Sequence, residues 1–234
     1  HLDWSKVNLE NITMPEGFVW GVATASHQIE GDNNNNWTQF EQREGKQQSG
    51  TAYDHWNLWA KDHELLSQSG VNSDRFSIEL SRIEPVQGEW NEAAIEVYSQ
   101  MIDSLIARGI EPMITLHHFS HPIWFEELGG FYHRENTIHF QNYCEKLFPY
   151  FSGRVKKWCT VNEPDVFSIM GYHMGMFPPG QRSPIKAIRV MKNVMIAHGA
   201  VYHQLKQMSP ESYIGLAKNV TIFDPYRRWN LLHW

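Results

Sequence analysis

Glu163 stands near the end of the run Trp158-Cys159-Thr160-Val161-Asn162-Glu163-Pro164, with an amide on one side and a proline on the other. Val, Trp and Thr favour a pleated backbone, and Pro164 cannot donate a ladder hydrogen bond. The run therefore predicts a buried strand that stops and leaves Asn162 and Glu163 at its C-terminal end. A carboxyl group in that position is a candidate general acid, able to protonate a leaving oxygen. Cleaving a bond between sugars needs such an acid and a second carboxylate, about 5 Å away when the anomeric configuration is retained. Asn162 can donate to a substrate hydroxyl. The bland alternative is a strand-end Glu paired with a neighbouring cation.

Three other positions have chemistry to offer. Arg75 opens Arg75-Phe76-Ser77-Ile78-Glu79 inside a second expected strand. A charge inside a sheet must be paired, so Arg75 either bridges structural acids or holds a catalytic carboxylate ionised. His117-His118 ends a third strand, with His121 close by. Neighbouring strand residues point to opposite faces, so one of the two His faces the centre. A zinc site needs several ligands converging, and the fourth strand ends in Asn-Glu without His, so no metal is expected. A neutral His bonded to hydroxyls, or a satisfied structural imidazole, is the better reading. Gln28, in a small-residue loop, offers a donor and an acceptor that could bridge two adjacent hydroxyls.

The elements that must position these residues alternate. Strands are expected at 18–23, 71–78, 111–116, 155–161 and 213–219, and helices at 54–68, 91–108, 137–151 and 183–208. Trp56, Trp59, His63 and Leu66 recur at helical spacing, as do Ala94, Val97, Met101 and Leu105. Gly70 and Gly109 follow the last turns of the first two helices, and Asn91 precedes the second. Residues 32–51 are rich in Asn, Gln and Gly and read as a long loop, functional or mobile. Strand–helix alternation with long loops after strands predicts a (β/α)8 TIM barrel with its site at the C-terminal ends of the strands. A unit takes roughly 49 residues here, so eight would need roughly 390, against a minimal barrel of about 250. The 234 residues then supply about the first five strands and four helices, as a single domain over 1–234.

Composition narrows the partners. A formal charge of -6 argues against nucleic acid, and no apolar stretch is long enough to span a bilayer. Cys144 and Cys159 do not make a disulfide framework, which fits a reducing, cytoplasmic setting. The Asn-x-Ser/Thr matches at Asn11, Asn36 and Asn219 read as chance. With 10 Trp, 12 Phe and 9 Tyr, the chain has either a large core or flat apolar walls suited to sugar faces.

Four segments together resemble glycoside hydrolase family 1, the β-glucosidase family. Phe18-Val19-Trp20-Gly21-Val22-Ala23-Thr24-Ala25-Ser26-His27-Gln28-Ile29-Glu30-Gly31 is similar to its N-terminal signature. Arg75 to Arg82, Thr115-Leu116-His117-His118-Phe119 and Thr160-Val161-Asn162-Glu163-Pro164 resemble its second-, third- and fourth-strand motifs. The resemblance implies a (β/α)8 barrel and a retaining mechanism without metal or organic cofactor. It further implies that Glu163 is the acid/base, that Arg75 contacts the nucleophile, and that Gln28, His118, Asn162 and Phe119 bind a β-linked sugar. Phe119 stands where many members carry Trp, Leu80 where Trp is frequent, and Asp165 where some members place an aromatic. The family's nucleophile is a Glu in a Thr/Ser-Glu-Asn-Gly motif that does not occur here, so the barrel's C-terminal half is expected to be a separate or missing piece. The readings that remain are a retaining β-glycosidase, a non-catalytic sugar-binding relative, and a half-barrel interaction module.

Overall fold

The computed structural model describes residues 13–220 and Trp229. The Asn11 site, most of the polar lead-in and the Asp224-Pro225 segment lie outside the described residues.

Among the described residues, five strands form one parallel sheet in the order of the chain: β1 (Gly21–Ala23), β2 (Ser73–Ser77), β3 (Glu111–His117), β4 (Lys157–Asn162) and β5 (Tyr213–Ala217). Each crossover carries one long helix: α3 (His55–Gln68), α5 (Glu92–Ala107), α7 (Thr137–Phe151) and α9 (Pro184–Met208). Shorter helices lie on the loops that follow the strands. These are α1 (Ser26–Ile29) and α2 (Asn36–Arg43) after β1, α4 (Leu80–Ile83) after β2, α6 (Ile123–Glu127) after β3 and α8 (Pro164–Tyr172) after β4.

The expected caps form: the Asn91 side chain accepts from Ala94 N, and Gly70 and Gly109 adopt φ of 80° and 73° where α3 and α5 end. Ser183 adds another, accepting from Lys186 N. Glycine meets no Cβ penalty at such angles. Burial follows the sequence period: Ala94, Ile95, Tyr98, Met101, Ile102 and Leu105 of α5 are buried. One sheet face, carrying Phe76, Ile114 and Trp158 in register, packs the helices, with Trp158 4.8 Å from Phe148 of α7. By alternation Arg75, Ser77, Thr115 and Cys159 lie on the opposite face.

Four expectations need correction. β1 is shorter than expected, because Phe18, Val19 and Trp20 are exposed and outside the ladder. The run 32–51 is not all loop: Asn35 caps α2 by accepting from Trp37 N and Thr38 N, and Thr38 reciprocates. The small-residue loop of Gln28 likewise contains a short helix, α1. Pro164 ends a strand as expected, but it also starts α8 at N1, where a missing N–H is harmless.

Candidate active site

Glu163 is placed by backbone more than by side chain. Cys159 and Asn162 pair with Gly215 and Ala217, so three steps along β4 oppose two along β5. A bulge of this kind bends a strand and re-aims the next side chains. Glu163 N then donates to Ala217 O at 2.8 Å, while Glu163 O accepts from Phe167 N at 3.0 Å in the first turn of α8. The residue is locked in a left-handed conformation, φ 42° and ψ 68°. Non-glycine residues resist this region, and such residues cluster at functional sites.

Arg75 reaches across from β2 and donates to Asn162 Oδ1 at 3.1 Å. Asn162 Nδ2 in turn donates to Glu163 Oε2 at 3.4 Å. The Arg75 hydrogen bond thus goes to an amide oxygen beside the candidate acid rather than to a carboxylate. It fixes which way the Asn162 amide is turned. Cys159 lies on the same sheet face, and burial pushes its thiol up while Arg75 opposes the shift.

Gln28, His118 and Phe119 line one cavity of about 420 Å³, together with His27, Trp37 and Glu41. His118 therefore faces the cavity, while His117 packs edge-on against Phe131, Phe140 and Phe167. Burial, then the positive charge of Arg75, depress the His118 imidazole to about 4, with Glu79 opposing. Its buried Nδ1 has no hydrogen-bond partner among the described residues. It is a neutral ring with spare hydrogen-bonding capacity. The six expected site residues thus fall into two groups, Arg75–Asn162–Glu163 and Gln28–His118–Phe119, with the field of Arg75 reaching His118.

Trp37 is a wall residue that sequence reasoning missed. Its ring stacks on His27 at 5.6 Å and meets Phe177 at 4.8 Å. Its Nε1 donates to Phe119 O at 3.1 Å, and Asn36 Nδ2 joins at 3.3 Å. These bonds hold Phe119 at φ 70°, with its ring parallel to Phe167. The available signal was an Asn before aromatics at 37 and 40, a capped amphipathic turn hidden in a polar run. Asn36 is buried and accepts from His121 N at 2.9 Å, so its glycosylation motif is inaccessible. Asp165 is paired with Lys218 at the end of β5.

Among the described residues no three His, Cys, Asp or Glu side chains converge as a metal site. No described helix is long and apolar enough to cross a membrane.

With this geometry in place, comparisons with known proteins give a consistent answer. The family model "Glycosyl hydrolase family 1" matches residues 10–231. The chain is 36% identical over 222 residues to β-glucosidase A of Thermotoga maritima, covering 90% of this chain and 50% of that protein. Among solved structures, a β-glycosidase from Pyrococcus horikoshii superposes with TM-score 0.84 at 40% identity, over 92% of this chain and 51% of its own. The Thermotoga maritima β-glucosidase in complex with glucoimidazole gives 0.86 at 35% identity, over 92% and 51%. The chain spans about half the length of the curated relatives it matches. Its five parallel strands and their helices are part of a TIM barrel, and the chain belongs to glycosyl hydrolase family 1.

Proposed function

We propose that this chain carries the acid/base half of a retaining β-glycosidase that releases terminal β-D-glycosyl units, as a β-glucosidase does. The observation that carries the reading is Glu163, held left-handed at the end of β4, with Asn162 between it and Arg75. In the first step Glu163 gives its proton to the departing glycosidic oxygen while a second carboxylate attacks the anomeric carbon. In the second step Glu163, now a carboxylate, takes a proton from water, which cleaves the glycosyl ester. Gln28 and His118 supply polar contacts to the sugar hydroxyls, and Phe119 supplies an apolar wall. Asn162 keeps its Nδ2 for donation because Arg75 occupies its Oδ1. The nucleophile is proposed to lie in a C-terminal half of the barrel that this chain pairs with. β1 and β5 each have one strand partner among the described residues, which supports such a pairing. Charge argues against nucleic acid as a further partner, and a cytoplasmic setting is part of the same reading.

The test is hydrolysis of aryl β-glucosides by the whole protein and its Glu163→Gln variant. The variant should lose about 10²–10⁴ in rate, most for poor leaving groups. This chain by itself should turn over poorly, since no covalent intermediate forms without the second carboxylate. Whole protein that binds glucoimidazole but hydrolyses no glycoside would overturn catalysis and favour a sugar-binding role.

A further inference from the structure

Glu79 follows β2 and is fully buried, yet no step of the proposed reaction uses it. Both its carboxyl oxygens are acceptors for donors brought from distant segments. Oε2 accepts from Ser26 Oγ at 2.9 Å and from Ser120 Oγ at 2.7 Å. Oε1 accepts from Asn35 Nδ2 at 3.3 Å and from Ser81 Oγ at 2.7 Å. Three of these donors stand close to a cavity-wall residue in sequence. Ser26 is two residues before Gln28, Asn35 two before Trp37, and Ser120 immediately after Phe119. Asn35 also caps α2 with its Oδ1 and meets His27 Nδ1 at 3.2 Å. Ser26 is fixed a second time, through Ser77 Oγ on its backbone N at 2.7 Å.

Loops joined to a sheet at their ends alone are the least stable parts of a fold. Here the loop after β1, at Ser26 and Asn35, and the loop after β3, at Ser120, converge on one buried group that can accept from all three donors at once. A side chain that must also donate cannot do this without turning one donor away.

We infer that Glu79 is a positioning residue: it sets the relative placement of three segments on two loops, those carrying Gln28 and Trp37 after β1 and the one carrying His118–Phe119 after β3, and so the shape of the cavity between them. The arrangement of the loops stands on geometry alone; the consequence for ligand affinity rests on reading the cavity as a sugar site.

Glu79→Gln in the whole protein replaces one acceptor oxygen by an NH₂ while keeping the volume. Ser120→Ala removes a single arm, and Glu84→Gln is the control, a buried acid whose side chain accepts from Gly88 N. Amide hydrogen exchange is followed by segment, and glucoimidazole affinity is measured by calorimetry well below the unfolding midpoint. Glu79→Gln should speed exchange about tenfold or more at 26–30, 36–40 and 119–121 together, with β2–β4 protection unchanged. Its affinity for glucoimidazole should fall by a similar factor. Ser120→Ala should loosen 119–121 alone, and Glu84→Gln none of the three. Exchange that rises only at 79–81, or equally in every strand, overturns the assignment, as does unchanged affinity with all three segments loosened. If the unsubstituted protein does not bind glucoimidazole, the sugar reading has failed, and the exchange pattern alone decides the role of Glu79. If Glu79→Gln does not fold, Ser120→Ala decides: loss of protection confined to its own loop supports the tether, and no change refutes it.

Discussion

Replacing Glu163 by glycine should leave a more stable protein than replacing it by alanine, although both remove the same carboxyl group. The reason is the backbone at φ 42° and ψ 68°. A residue with a Cβ pays about 1–2 kcal/mol to sit in the left-handed region. Glycine avoids that term but loses about 0.5–1 kcal/mol more chain freedom on folding. The balance favours Glu163→Gly by about 1 kcal/mol. For a domain of this size that is an unfolding-midpoint difference of about 2–4 °C. The Asn162 Nδ2 contact to Glu163 is absent from both variants, so it cancels. The assay is thermal unfolding of the two proteins by circular dichroism under one buffer. Activity on aryl glucosides with poor leaving groups should be lost equally in both, which separates strain from chemistry. If Glu163→Ala is as stable as Glu163→Gly or more so, the backbone is not strained there. The two anchoring hydrogen bonds, to Ala217 O and from Phe167 N, would then not be holding an unfavourable conformation.

The His118 ring should stay neutral down to about pH 4, and Arg75→Met should raise its titration midpoint without restoring the free value, because burial is the larger cause; imidazole NMR shifts read this directly. Since the folded value lies below the usual 6.5, His118 contributes stability that is present above pH 6.5 and lost as pH falls through about 4. Glu30 works in the opposite sense. Burial first, then Glu79, push it up to about 7, so its contribution is full below pH 4.5 and disappears as pH rises through about 7. Glu30→Gln should therefore make the urea-unfolding free energy climb more steeply between pH 5 and 7; an unchanged slope would show that Glu30 ionises alike in both states. Gly171→Ala places a Cβ 2.5 Å from Pro178 O, so the loop carrying Phe177 must shift. Altered Trp37 fluorescence is expected with it, since the two rings lie 4.8 Å apart; an unchanged spectrum with wild-type stability would contradict the close packing.

The alternation of strands and long helices was legible because burial imposes two clear periods, and Asn91, Gly70 and Gly109 mark ends by local chemistry that needs no tertiary context. The Asn-Glu-Pro stop was equally plain, since proline acts on the backbone directly. What was hidden depends on contacts far away in sequence. The helix at Asn36–Arg43 is short and polar, and it is held by Trp37 and Asn36 bonding to Phe119 O, 82 and 83 residues away. His117 and His118 could not be told apart, because only the aromatic cluster around Phe131 and Phe167 shows which ring is inside. The Arg75 bond to the Asn162 amide joins residues 87 apart and shows only once β2 and β4 share a sheet. Glu79 stood in the quoted motif without a role, because a buried acceptor is recognised only when its donors converge from Ser26, Asn35 and Ser120.

The sheet order β1-β2-β3-β4-β5 repeats the order of the chain. Each of β2 to β5 therefore pairs with the strand made just before it, and only the outer edge of β1 waits for a partner made later. A chain emerging from the ribosome can add one strand and one helix at a time, closing a loop of one crossover at each step. Entropy is lost in small instalments rather than in one long-range closure, which favours rapid, sequential assembly. The growing edge is the hazard of this route. Until the next strand arrives, the newest one presents unpaired N–H and C=O groups to whatever is nearby. For β5, with Tyr213 exposed and no strand beyond it among the described residues, that interval is when a neighbouring nascent chain competes for the same edge.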